Sequence, residues 1–420
     1  VGKTTAVRAF AKGFQAFADL NLELAADLAI FDRGRTVGRI WEAIRFLKGI
    51  PDAPLEKTLL FIDEIQKSPD AVALLRYFQE EMPALRVIAA GSLLETMLDV
   101  HVSFPVGRVE FMLLHPVSFE EWLGAREETS ALQAYREVPV PDYAHDKLEA
   151  LFRLYLLTGG MPEAVRVFAE TGDLAALDRI HESLIIAYLE DVEKYGIRKR
   201  KIPVIRHVIQ SAFTEASGRI RYEGFGNSNY AGRDVKEAFD ALQKAFLFQV
   251  IHPVTTTFLP LAPNGRKSPR LHALDTGLVV FKAGMRKELF AAADVSAVFA
   301  GRIIEHAVGQ ELYATSDSPL HALHFWARDK HQSSAEVDYV LPSEGRLIPI
   351  EVKAGATGRL RSLHAFMDEV SHATAVRLYG GRFRVEKTRT LRGKEYTLLN
   401  IPWYQSAKTV KYLERLAPAG

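Results

Sequence analysis

Thr58-Leu59-Leu60-Phe61-Ile62-Asp63-Glu64-Ile65-Gln66 decides the fold class. Four apolar residues closing on two adjacent acids describe a strand covered on both faces, as parallel strands are. Such strands present ligand-binding groups at their carboxyl ends. Asp63 and Glu64 therefore read as a Walker B pair, Asp63 holding Mg²⁺ through water and Glu64 orienting and polarising the attacking water. The plain alternative is a buried strand that ends in two surface acids. The start of the chain separates the two.

Val1-Gly2-Lys3-Thr4-Thr5 reads as the end of G-x-x-x-x-G-K-[ST], the P-loop. In that motif backbone N–H groups cradle phosphates, the lysine reaches the β- and γ-phosphates, and the first hydroxyl holds Mg²⁺. Gly2, Lys3 and Thr4 fill its last three positions, with Thr5 beside them. The first glycine and the strand before it are missing and the chain opens on Val, so an incomplete N-terminus is expected. Val7, Phe10, Ala11, Phe14 and Phe17 recur at helical spacing, which predicts a helix over 5–17 with its N-terminus at the phosphates. Residues 86–92 form another apolar strand. Ser92 at its end is a sensor for the γ-phosphate or the N-cap of a helix over 93–98, and the two roles are compatible. Arg108 is a candidate arginine finger, in cis or from a neighbouring copy, which points to a homo-oligomer.

Gly2-Lys3-Thr4, Asp63-Glu64-Ile65-Gln66-Lys67-Ser68-Pro69, Gly91-Ser92 and Gly107-Arg108, followed by His115-Pro116-Val117-Ser118-Phe119, together resemble a family of prokaryotic AAA-type P-loop ATPases. Its members carry a C-terminal domain of unknown function, number 4143. The resemblance runs through most of the chain. It implies ATP binding and hydrolysis with Mg²⁺, a helical lid after the ATPase core, and a C-terminal region similar to nuclease folds. It implies no particular physiological role.

Residues 126–148 are charged and weakly patterned and read as a loop or linker. Residues 148–158 and 174–195 read as helices around the turn Gly159-Gly160-Met161-Pro162-Glu163; the resemblance makes this the lid. Val204, Ile205, Val208, Ile209, Ala212 and Phe213 line one face of a helix over 203–216. Strand-like Arg219-Ile220-Arg221-Tyr222, a second helix over 232–245, and strands over 246–251 and 269–274 complete the order of a winged helix. Asn227, Asn229, Tyr230, Arg233 and Lys236 are its candidate DNA contacts, and Arg198-Lys199-Arg200-Lys201 suits phosphate. The alternative is a protein-binding module.

Residues 303–313 predict a helix bearing Glu305 and Glu311, and 334–341 and 347–353 two strands joined by a turn at Gly345. Side chains alternate along a strand, with Leu347, Glu351 and Lys353 expected outward, so Glu351 and Lys353 share a face that Asp338 meets from the neighbouring strand. Glu336 points to the same face as Asp338, displaced by two residues. Asp338, Glu351 and Lys353 make the D…E-x-K arrangement of restriction-endonuclease-like folds, in which two carboxylates hold Mg²⁺ and the lysine positions or generates hydroxide. Glu305 is a candidate further metal ligand. The alternative is a cross-strand salt-bridge cluster.

The expected fold is therefore α/β. It comprises a P-loop ATPase core over 1–125, a helical lid and linker over 126–200, a winged helix over 201–285 and a restriction-endonuclease-like α/β domain over 286–420. The expected function is ATP hydrolysis coupled to DNA binding and a Mg²⁺-dependent nuclease-like domain. Its rival is a nucleotide-gated regulatory or interaction protein that does not cut. Composition agrees with either: 420 residues, 48% hydrophobic and 25% charged, suit a globular chain of two or three domains. No apolar run reaches the ~18 residues of a membrane helix. Cysteine is absent, which excludes disulfides, thiol nucleophiles and cysteine zinc sites; with no leader pattern, a cytoplasmic location is expected. The net charge of +1 hides 13 Lys and Arg against 5 Asp and Glu between Gly196 and Arg270. Such a block suits nucleic acid, or is a solvated basic face.

Overall fold

The computed structural model describes residues 2–31, 34–91, 107–192, 199–291, 298–329, 335–355 and 358–416. Ser92, the helix read over 93–98 and Arg198 lie outside the described residues. The chain divides into two compact units, Val1–Leu114 and His115–Gly420.

In the first unit, β1 (Ala16–Asn21), β2 (Thr58–Asp63) and β3 (Arg86–Ala89) form a parallel sheet in that order. β2 is central and all six of its residues are buried, as its unbroken apolar run predicts. Leu60 and Ile62 pack with Ala18, Leu20, Ile40, Trp41, Ile44 and Phe78 in one core. Ile40, Trp41 and Ile44 come from helix Val37–Lys48, started by the Thr36 hydroxyl accepting from Arg39 N–H. Phe78 comes from helix Pro69–Glu81, capped by Ser68 with proline in its first turn. The first helix, Lys3–Ala11, is shorter than the periodicity predicted. Phe10 is exposed and Phe17 belongs to β1, so the 3–4 spacing of the phenylalanines spans two elements.

The second unit opens with helices Phe119–Ala125, Thr129–Arg136, His145–Thr158, Pro162–Thr171 and Ala176–Glu190. The stretch expected as a linker holds helix Thr129–Arg136, which buries Ala131, Ala134 and Tyr135. Two alanines and one tyrosine among charges leave too weak an apolar stripe to read. Helices Ile202–Ala212 and Gly232–Lys244 follow, then an antiparallel pair, β4 (Phe248–Ile251) with β6 (Arg270–Ala273). A seven-stranded sheet completes the unit, from short β5 (Pro253–Val254), β7 (His324–Ala327), β8 (Glu336–Ser343), β9 (Arg346–Val352), β10 (Thr374–Tyr379), β11 (Arg384–Arg389) and β12 (Glu395–Pro402). Their order is β11-β12-β10-β9-β8-β7-β5, with β7, β8 and β9 antiparallel and β10 parallel to β9 and β12. Helix Val298–Tyr313 precedes β7, and helix Arg361–Met367 links β9 to β10. β9 is not half-exposed as its alternation suggested: Leu347 and Glu351, expected outward, are buried. A strand with neighbours on both edges and cover on both faces has no solvent side.

A polar core ties the second unit together. Ser118 starts helix Phe119–Ala125 in a capping box with Glu121. Phe119 N–H and Tyr155 O–H both donate to Glu311 Oε1 at 2.9 Å, and Val117 O lies 2.8 Å from the same tyrosine hydroxyl. Burial pushes the Glu311 carboxyl up to about 7, against the pull of those two donors. The folded value lies above the ordinary 4.5. Its contribution to stability is therefore full below that value and is lost as pH rises through about 7. Glu311→Gln removes this slope. Between pH 5 and pH 8, unfolding free energies are expected to move in the variant's favour by about 2 kcal/mol relative to wild type. Denaturant melts at the two pH values measure it.

Candidate functional site

β2 delivers Asp63 to the carboxyl edge of the first sheet, level with Asn21 at the end of β1. Thr4, in the first turn of helix Lys3–Ala11, donates its hydroxyl to Asp63 Oδ2 at 2.6 Å. Asp63 is 7% exposed, and its Oδ1 accepts from Glu64 N–H at 3.0 Å. Glu64 takes a left-handed φ of 54°, which turns the chain out of the strand, and Ile65 N–H then bonds to Ala90 O. That backbone conformation costs a non-glycine residue roughly 1 kcal/mol, a strain that concentrates at functional sites. Gln66 Nε2 donates to Glu64 Oε2.

Thr4, Asp63 and Glu64 are thus brought together, with Lys3 half-buried next to Thr4 and Thr5 exposed. The donor set fits Mg²⁺, which takes one or two protein oxygens and fills its remaining positions with phosphate oxygens and water. Arg108 is not at this edge: its Nε donates to Glu80 Oε1 at 2.9 Å, on helix Pro69–Glu81, where Arg76 is also bound.

In the second unit, Tyr339 pairs with Ile350 across β8 and β9, which sets Asp338 beside Glu351 as the sequence predicts. Lys353 Nζ donates to Glu351 Oε1 at 2.6 Å. A fourth participant was read only as part of a basic block. Arg270, on β6, sends Nη1 to Glu305 Oε1 at 2.6 Å and to Asp338 Oδ1 at 3.3 Å, and Nη2 to Glu336 Oε2 at 3.3 Å. Asp338 Oδ2 accepts from Val352 N–H at 2.8 Å. Burial works against the charge of Arg270, but Glu305, Asp338 and Glu336 outweigh it and raise its pKa. Burial raises Glu305 against the pull of Arg270, and burial with the nearby Asp338 raises Glu351 against Lys353.

These residues do not fit the metal site expected of them. Both oxygens of Asp338, and one each of Glu305 and Glu351, are already bound to N–H donors. Among the described residues no three His, Cys, Asp or Glu side chains converge to hold a metal ion. One signal pointed to Arg270: an arginine opening the strand Arg270-Leu271-His272-Ala273, whose other three residues are buried, needs acids to meet it.

Of the candidate DNA contacts, Asn227, Asn229, Arg233 and Lys236 are exposed, whereas Tyr230 is half-buried against the His207 ring at 5.5 Å. Arg233 bonds to Glu237 on its own helix, and Lys201 pairs with the same acid.

Residues 1–123 match an AAA domain, residues 149–289 a domain of unknown function (DUF8612), and residues 300–404 a domain of unknown function (DUF4143). The chain thus carries an N-terminal segment similar to AAA domains and a C-terminal segment similar to DUF4143. Uncharacterized proteins of Mycobacterium bovis and Mycobacterium tuberculosis are each 24% identical to it over 345 residues, covering 79% of this chain and 67% of the relative. The Thr4–Asp63 pair lies in the AAA domain, and Glu305, Glu336, Asp338, Glu351 and Lys353 in DUF4143. Arg270 lies outside DUF4143, in the preceding matched segment. Among the described residues no helix is long and apolar enough to cross a membrane.

Proposed function

We propose that the AAA domain binds and hydrolyses ATP, with Lys3 on the β- and γ-phosphates and Glu64 orienting the attacking water. Thr4 and Asp63 would hold the nucleotide's Mg²⁺, which supplies neutralisation of phosphate charge when bound. The observation that carries the reading is the 2.6 Å Thr4–Asp63 hydrogen bond, which joins the two halves of the motif across 59 residues. Phosphate release by the full-length protein with ATP and Mg²⁺ tests it. Lys3→Ala is expected to abolish turnover, and equal rates in the variant and wild type would refute the assignment.

For the second unit, the reading without cleavage is favoured by the place of Arg270 among the carboxylates. It acts as a binding module whose engagement follows the nucleotide state. DNA is the partner class supported by the basic composition of residues 196–270 and by the exposure of Asn227, Asn229, Arg233 and Lys236. The helix, strand, strand, strand, helix, strand order from Val298 to Tyr379 supports a nuclease-like ancestry for the sheet without requiring that it cut.

A further inference from the structure

Four acids, Glu305, Glu336, Asp338 and Glu351, meet three cations, Arg219, Arg270 and Lys353, in the second unit. Arg270 is central. Its planar fork engages Glu305 and Asp338 through one nitrogen and Glu336 through the other, a geometry no ammonium group reproduces. Its side chain is 12% exposed and lies 4.7 Å from the centroid of the Phe325 ring, with Arg219 at 5.2 Å from the same ring. Arg219 Nη1 takes the remaining oxygen of Glu336 at 2.8 Å. An aromatic floor suits a weakly hydrated guanidinium, whereas Mg²⁺ gives up its water reluctantly.

The backbone holds Arg270 in place from outside the sheet. Ile220 N–H bonds to Pro269 O, Ser217 N–H to Leu271 O, and Leu271 N–H to Gly218 O, so residues 217–220 clamp both neighbours of Arg270. One oxygen, Glu351 Oε2, is buried without a hydrogen-bond partner.

We infer that Arg270 is the resident cation of this cluster, excluding divalent metal and clasping the antiparallel β4–β6 pair onto helix Val298–Tyr313 and β8. The inference deepens the non-cutting reading by stating what occupies the site, and it is independent of ATP hydrolysis. Removing the guanidinium frees Glu305 Oε1 and Asp338 Oδ1, two hard oxygens of the type divalent ions take, in a cluster where Glu351 Oε2 already lacks a hydrogen-bond partner.

The test is Mn²⁺ binding, followed by electron paramagnetic resonance in the nucleotide-free full-length protein. Each protein is compared with its Asp338→Asn counterpart, so that binding near Asp63 cancels. Wild type is expected to bind no Mn²⁺ that Asp338→Asn removes. Arg270→Met is expected to gain one such site and to melt lower by on the order of 5 °C or more, since it leaves buried acids uncompensated. Asp338-dependent Mn²⁺ binding in wild type overturns the inference. So does a folded Arg270→Met that gains no Mn²⁺ site or melts with wild type. If Arg270→Met does not fold, the wild-type comparison decides alone. DNA cleavage that Lys353→Ala abolishes defeats the non-cutting reading itself, a result separate from the Mn²⁺ measurement.

Discussion

Glu64→Gln is expected to reduce ATP turnover by about 100-fold or more while nucleotide affinity stays within a few-fold of wild type, because water activation is lost and phosphate binding is not. The substitution preserves side-chain volume and leaves an oxygen to accept from Gln66 Nε2, so the left-handed turn at Glu64 keeps its partner. Thr4, Asp63 and Lys3 are untouched, and with them the proposed contacts to phosphate and its cation. Phosphate release measured beside the dissociation constant of ATP separates the two effects. A variant that lost binding together with turnover would place Glu64 in the structure of the turn and not in the chemistry.

The position of that residue was legible because β2 is central in a parallel sheet, and a strand buried on both faces leaves an unbroken apolar signature up to its carboxyl end. The pairing of Asp338 with Glu351 was legible for a related reason: side-chain period and a short turn at Gly345 set the register of β8 and β9. β1 was hidden, since Phe14 and Phe17 continue the helical spacing of Val7 and Phe10 although the helix stops at Ala11. Arg270 was hidden more deeply. It lies 35 residues before Glu305 and 68 before Asp338, and a count of local charge assigns it to a basic surface when its partners are distant in sequence. The same count overstates the positive face of residues 196–270, because Arg219, Arg233 and Lys201 are also engaged by acids.

Gly160→Ala is expected to destabilise the second unit by about 3 kcal/mol or more, or to prevent folding, which is large for the addition of one methyl group. A Cβ on Gly160 would lie 2.3 Å from Val117 O and 2.9 Å from both Val117 N and Pro116 Cβ. The nearest of these atoms is backbone, held by the 2.7 Å bond from Val117 N–H to Gly160 O, so the clash cannot be relieved by a rotamer change. On the other side, Gly160 N–H donates to Asp275 Oδ2 at 2.5 Å while Asp275 Oδ1 caps helix Thr276–Ala283 through Leu278 N–H. Burial pushes the Asp275 carboxyl up to about 6 against those N–H donors, so moving the turn would also strip a buried acid of its partners. Gly172→Ala is the control: its φ of +68° is left-handed, which that of Gly160 is not, but nothing lies within 4 Å of the added carbon. It should cost only the backbone strain, roughly 1 kcal/mol. Denaturant unfolding of both variants measures the difference. Equal, mild effects would mean that the turn can separate from Val117 and Asp275 at little cost, as a hinge would. A severe effect confined to Gly160→Ala identifies the glycine pair as a site of close backbone approach, which a lid moving at this turn would have to break.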